Sequence, residues 1–200
     1  VKIISAENII GALRGRKTDS EKQRMIKAID TTQKIYDDAR TFIKPGITEK
    51  QIYDFFQERM KYYGVTAGWE PLQCPGVMVG TSSVVGHNAP TDITVKRGDV
   101  ITVDFGVREA GYCSDMQRVF YVLKEGETKA PDIINKALIA IQEGIRCAAK
   151  AMIPGNKVYT VDAAAREYIV AQGFPSWNFA LGHEIGRFAH DGGLLLAPQW

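Results

Sequence analysis

Apolar residues along this chain follow two spacings in turn. Residues 25–64 and 134–173 each read as a helix, a Pro-Gly break and a second helix that stops at glycine. Slid 109 positions against itself, the sequence is identical at eight places in this window, where average usage gives roughly two or three. Ala39/Ala148, Pro45/Pro154, Gly46/Gly155 and Gly64/Gly173 are among them, and mismatches such as Ile52/Val161 and Met60/Ile169 keep their apolar character. Ser20 with Gln23, and Thr48 with Gln51, have capping-box spacing, and Pro131 suits the first turn of a helix.

After the first copy the period falls to two. Residues 76–86 and 99–123 are rich in Val, Thr, Phe and Tyr, with Gly and Pro between them, and read as strands. In Val100–Val107 the odd positions (Ile101, Val103, Phe105, Val107) are large and apolar, so one side of this strand faces a core. The other side carries Val100, Thr102, Asp104 and Gly106. The expected fold class is therefore α+β, in two related halves of helical hairpin plus antiparallel strands. A second half built like the first would run to about residue 233, so it is expected to be incomplete. A chain that opens on Val1 rather than Met points the same way, to a piece of something longer.

Composition removes whole classes of function. At 45% hydrophobic and 24% charged residues the chain is globular, neither fibrous nor disordered. With 25 basic against 23 acidic residues it carries no field to draw nucleic acid or an anionic membrane, and no apolar run approaches the ~18 residues of a membrane span. Arg14–Lys27 is locally basic but has no interleaved aromatics, and reads as a solvated linker leading into a helix. Three widely spaced cysteines (Cys74, Cys113, Cys147) suit a reducing, cytoplasmic setting better than a disulfide framework.

Asp104 is out of place in such a strand, because aspartate is depleted there and a buried carboxylate needs a partner. If the next hairpin centres between Glu109 and Ala110, Asp104 lies directly opposite Asp115. Cys113 then faces Gly106, and Gln117 faces Thr102. Two carboxylates so placed repel. Either one of them binds a proton or a cation lies between them. A third arrangement has Asp104 capping a strand end and Asp115 paired with Arg118 or Arg108 at a solvent edge. Cys113 reads as a small buried residue rather than a ligand. All three histidines, His87, His183 and His190, fall in glycine-rich loops. Their spacing fits neither a zincin helix nor a zinc finger. One histidine with two aspartates makes an oxygen-rich donor set for Mn, Co, Fe or Zn at a hydrolytic centre.

These residues carry a resemblance. Residues 101–106 (ITVDFG), 111–120 (GYCSDMQRVF), 182–186 (GHEIG) and His190 resemble the pita-bread metallopeptidases, the superfamily of methionine aminopeptidase, Xaa-Pro aminopeptidase, prolidase and creatinase. The Asp-Phe-Gly and Ser-Asp-x-x-Arg forms, with an opening similar to that branch's interdomain segment, look like the Xaa-Pro aminopeptidase and prolidase branch. The resemblance implies that residues 1–19 end a linker and 20–200 form the catalytic domain without its last strands. It implies a peptide substrate and two divalent metal ions (Mn, Co, Zn or Fe). Asp104, Asp115 and His183 would be ligands, Asp115 bridging, with two further glutamates beyond residue 200. His87 would lie beside the substrate, and His190 would help stabilise the tetrahedral intermediate. The implied reaction is attack on the N-terminal peptide bond, before proline, by a hydroxide bridging the metals, in a homodimer, with this chain alone inactive. Glu184 and Asp191 stand where many members have glycine and glutamate. A methionine aminopeptidase and a catalytically dead, peptidase-like binding module are the alternatives; creatinase-type chemistry needs no metal and sits badly with the retained ligands.

Overall fold

A computed structural model describes residues 3–83, 86 and 88–199. Along the chain run α1 (Glu7–Gly15), α2 (Asp19–Phe42), α3 (Glu49–Tyr63), β1 (Thr66–Ala67), β2 (Gly76–Val79), β3 (Val100–Phe105), β4 (Val107–Glu109), β5 (Tyr112–Cys113), β6 (Met116–Tyr121), α4 (Asp132–Ala151), α5 (Val158–Ala171), β7 (Gly182–His183) and β8 (Leu195–Leu196). They form two compact units. One comprises Arg16–Lys129 and Ile185–Asp191; the other comprises Val1–Gly15, Ala130–Glu184 and Gly192–Trp200.

In the first unit α2 begins two residues before the expected box. Thr18 is the N-cap: its side chain accepts from Glu21 N, and the Glu21 carboxylate reaches back to Thr18 N at 2.8 Å. Glu21 wins over Gln23 because its charge suits a helix N-terminus and its second oxygen accepts from the Tyr112 hydroxyl at 2.8 Å, tying the helix start to β5. The Thr48–Gln51 box on α3 forms as its spacing predicts, and α3 ends on Gly64 in the left-handed conformation at φ 68°. Two antiparallel sheets, β2-β3-β6 and β1-β4-β5, complete the unit. Burial alternates along β3, with Ile101, Val103 and Phe105 fully buried. Tyr36, Phe56 and Phe105 meet edge to face at 4.7–5.8 Å in the centre of the core. The Tyr36 hydroxyl lies 2.8 Å from the carbonyls of both Val103 and Met116, which fastens α2 across β3 and β6.

The second unit repeats the helical hairpin at the offset read from the sequence. The first helices end on C-caps Ile43 and Met152, and the second begin on N-caps Thr48 and Lys157, each pair 109 positions apart. The break glycines Gly46 and Gly155 have nearly the same φ, 93° and 95°. Burial repeats too: Ile52, Phe56 and Met60 correspond to Val161, Ala165 and Ile169. Val161 and Ala165 are smaller than their counterparts, and α4 and α5 approach closely at Gly144, where a Cβ would lie 2.8 Å from Ile169 Cδ1 and that side chain would have to shift to admit it. Only the pair β7-β8 comes after them among the described residues of this unit.

Candidate active site

Asp104 lies on β3, half-buried, with its Oδ1 sealed from solvent. The ladder places it between Gly76 on β2 and Gln117 on β6. This corrects the predicted register, in which Asp115 was its direct partner. The turn centres on Ala110-Gly111, one residue later than expected, with φ of 51° and 83° at its two central positions. Positive φ at both central positions is the type I′ geometry, which matches the strand twist and forms even though alanine fills the first. Each pairing moves by two residues, so faces are preserved while partners change. Cys113 accordingly faces Arg108 rather than Gly106, and Thr102 faces Val119 rather than Gln117.

Asp115 falls at a break in the ladder, and Gly106 and Ser114 make that break. A Cβ on Gly106 would sit 1.9 Å from the Ser114 carbonyl oxygen, so only glycine permits the approach. With that carbonyl turned aside, the Val107 N–H donates to Ser114 Oγ at 2.9 Å, and Ser114 N donates to the Val107 carbonyl at 2.9 Å. Ser114 Oγ is in turn 2.6 Å from Thr32 Oγ1 on α2. Half-buried Asp115 is thus set where the backbone leaves the sheet, across from Gly106 and diagonal to Asp104. The charges of both carboxylates act on Tyr36. Burial first and the Asp104 charge second push its hydroxyl well above the ordinary tyrosine range; Asp115 adds to this, and Arg118 opposes it. Arg118 stacks 5.6 Å from the centre of the Tyr36 ring and donates to Gln33 Oε1 at 3.0 Å, while Arg108 lies over the Phe188 ring. Cys113 is fully buried, its Sγ against the carbonyls of Gly68 and Arg187, and burial raises its thiol pKa.

His190 is exposed and lies in the same unit, on the loop Ile185–Asp191. The base of that loop is pinned. Cys113 N donates to Gly186 O at 2.7 Å, Phe188 N donates to Asp191 Oδ1 at 3.2 Å, and the buried Asp191 carboxylate lies 3.4 Å from Lys17 Nζ. Asp191 Oδ2 fills the place of a Gly186 Cβ, at 2.2 Å, so this carboxylate anchors the loop. His183 sits half-buried on β7 in the other unit, opposite Leu195, with its Nδ1 3.4 Å from Glu184 O. Glu184 folds over Gly193 and accepts from Leu194 N at 3.4 Å. The structure therefore brings Asp104, Asp115 and His190 into one unit and His183 into the other; His87 lies outside the described residues.

Sequence reasoning missed Glu49. It is the first residue of α3, only 2% exposed, and its carboxylate joins Val79 and Ser83 to Thr91. Oε1 accepts from Val79 N at 3.1 Å and from Ser83 Oγ; Oε2 accepts from Thr91 N at 3.1 Å and Thr91 Oγ1 at 2.6 Å. An acidic residue in a first helical turn is so ordinary that nothing local marks it.

The sequence matches metallopeptidase family M24 over residues 23–199. The chain belongs to that family. A putative Xaa-Pro aminopeptidase of Mycoplasma genitalium is 33% identical to the M24 chain over 192 residues, which are 94% of it and 51% of the relative. An uncharacterised peptidase of Staphylococcus saprophyticus is 31% identical over 188 residues, 92% of the chain and 51% of the relative. The chain thus spans about half the length of the curated relatives it matches. The X-Pro aminopeptidase from Thermotoga maritima superposes at TM-score 0.82 and 26% identity, over 95% of this chain and 52% of that one. The prolidase from Pyrococcus furiosus, at TM-score 0.82 and 24% identity over 95% and 54%, shares the fold. The architecture is the pita-bread fold expected from the motifs.

M24 proteins are metallopeptidases, so the donor set must be weighed. Asp104 and Asp115 offer hard carboxylate oxygens beside a strand break, one of them sealed from solvent, which suits a divalent cation. Among the described residues no three His, Cys, Asp or Glu side chains gather to hold a metal ion. No helix among the described residues is long and apolar enough to cross a membrane.

Proposed function

We propose that the protein to which this M24 chain belongs hydrolyses the N-terminal peptide bond of peptides, preferring a residue that precedes proline. The observation that carries the reading is the Gly106–Ser114 break, which takes Asp115 out of the ladder beside the strand that bears Asp104, in a chain that matches the family over 23–199. In support stand the 33% identity to a putative Xaa-Pro aminopeptidase and the Asp-Phe-Gly sequence that closes β3.

In this reading Asp104, Asp115 and His183 hold part of a pair of divalent ions, Mn, Co, Zn or Fe. When bound, such ions would acidify a water toward neutrality and polarise the scissile carbonyl. Asp104, on a strand buried on one face, presents its carboxylate with little freedom to turn away. Asp115, released from the ladder, would serve both ions. His190, on its pinned loop, donates a hydrogen bond to the oxygen that gains charge as the peptide carbonyl is attacked. By the resemblance, His87 would lie beside the peptide. The 200-residue chain alone is inactive in this reading, because two glutamate ligands implied by the resemblance have no counterpart assigned in it. Residues 1–19 serve as a linker to the catalytic domain, the working protein is a homodimer, and three free thiols support a reducing, cytoplasmic setting.

The test uses the full-length protein with added Mn²⁺ or Co²⁺. Release of the first residue from an Xaa-Pro peptide should require metal and exceed release from a Met-Ala peptide at least tenfold. Preference for Met-Ala would move the protein to methionine aminopeptidase chemistry. No cleavage and no bound metal would make it a peptidase-like binding module.

A further inference from the structure

Arg166, on the inner side of α5, has a guanidinium whose every donor is engaged. Nε and Nη2 hold Asp162 in a two-pronged pair at 2.8 and 2.9 Å; Asp162 is 1% exposed. Nη1 donates to Ser176 Oγ at 3.1 Å and to the Trp177 carbonyl, and Nη2 donates to the Phe179 carbonyl at 3.1 Å. That accounts for all five N–H groups of an arginine. The guanidinium also stacks on Trp177, 4.1 Å from the ring centre. An ion pair serving only the helix would need two of these contacts. The other three go to Ser176, Trp177 and Phe179, in a stretch without strand or helix that runs directly into Gly182–His183.

The other half of the molecule repeats the device. Counting 109 positions back, Arg166 corresponds to Gln57 and Asp162 to Tyr53. Gln57 Nε2 donates to the Cys74 carbonyl at 2.8 Å, and the Tyr53 hydroxyl donates to the Pro71 carbonyl at 2.9 Å. That segment leads into Gly76, the neighbour of Asp104 on the sheet. In both halves, the second helix of the hairpin holds the carbonyls of the segment that delivers a chain to the candidate site. Glutamine holds one carbonyl; arginine, anchored by a buried carboxylate, holds two and a hydroxyl.

We propose that the Asp162–Arg166 pair is the positioning device for His183, fixing the 176–183 segment so that the imidazole is presented to the metal in one orientation. This rests on the reading of His183 as a ligand. Lysine at 166 would keep the charge but lose the planar fork, since an ammonium cannot hold a carboxylate by two bonds and reach three further acceptors.

The experiment compares full-length wild type with Arg166→Lys and Asp162→Asn. It monitors Co²⁺ affinity and visible absorption, kcat and KM for an Xaa-Pro peptide, and hydrogen exchange over residues 174–183. Thr18→Ala, which removes the α2 cap, serves as a stability control. Both variants should lose Co²⁺ affinity by about 10–100-fold, the range for residues that orient a metal ligand, with an altered cobalt spectrum. The loss should fall on kcat with KM within about threefold, and exchange over 174–183 should rise. Thr18→Ala should lower the melting temperature and leave cobalt affinity unchanged. Variants that melt earlier yet keep wild-type cobalt affinity, spectrum and kcat would overturn the proposal and leave Arg166 a structural residue. If the wild type neither binds metal nor cleaves, the proposed function fails, and with it the role assigned to His183. Unchanged exchange over 174–183 in both variants would refute the clamp itself.

Discussion

Replacing Glu49 by glutamine keeps the volume and removes the charge, and the four hydrogen bonds that the carboxylate accepts set the cost. Each oxygen accepts one backbone N–H, from Val79 and from Thr91. An amide offers one oxygen, so whichever way the new side chain of Glu49→Gln turns, its NH₂ faces a backbone N–H that cannot accept. On the Thr91 side the Thr91 N–H would be left without an acceptor; on the Val79 side the Ser83 hydroxyl can receive the new NH₂ while Val79 N keeps its bond to Ser83 Oγ at 2.6 Å, so that orientation is favoured. The cost is then the Val79 bond to the carboxylate and the weaker bonds from Thr91 to a neutral acceptor, about 1 kcal/mol each. Together these give a loss of about 2–3 kcal/mol. For a chain of this size that lowers the melting temperature by about 5–10 °C. Thermal unfolding monitored by circular dichroism measures it, and hydrogen exchange at Val79 and Thr91 locates it. A midpoint within about 2 °C of wild type, with both amides still protected, would refute the reasoning.

Gly106→Ala places a methyl where the Ser114 carbonyl stands, 1.9 Å away, and both partners are backbone; we expect a loss of about 3 kcal/mol or more, read by urea unfolding. The Glu21 carboxyl is held down to about 2, first by the Thr18 N–H and then by the Tyr112 hydroxyl. The stability it contributes is therefore complete above about pH 4.5 and is lost as the pH falls toward 2. Glu21→Gln should flatten the acid limb of the stability profile over that window, and an unaltered limb would remove Glu21 from the account.

How much of the fold and the candidate site was legible in the sequence depends on whether the cause is local. The hairpins were, because a Pro-Gly break and a left-handed glycine are written in adjacent residues, and the 109-residue offset recurs in the caps at Thr48 and Lys157. The α2 start was misplaced by two residues: Ser20-x-x-Gln23 predicts one box, and the box that forms is Thr18-x-x-Glu21, which has the same spacing. Tyr112, distant in sequence, gave Glu21 the partner that decided it. Alternation along β3 gave the correct faces, but the register turned on a single alanine adopting positive φ at 110, which residue preferences argue against. Glu49 was illegible because its partners, at 79, 83 and 91, meet only through folding. Arg166 was illegible for the same reason: Asp162 is its i, i+4 neighbour, but the carbonyls it holds, at 177 and 179, meet it only through folding.

The central claim is that Asp104 and Asp115 act together as carboxylate ligands in a peptide-cleaving metal site. In the full-length protein, metal content after dialysis against Mn²⁺ or Co²⁺ and cleavage of an Xaa-Pro peptide should be measured on the same samples of wild type, Asp104→Asn and Asp115→Asn. The account predicts that each substitution lowers bound metal and cuts hydrolysis at least a hundredfold while the fold is kept. Full metal content and wild-type hydrolysis in Asp115→Asn would contradict it.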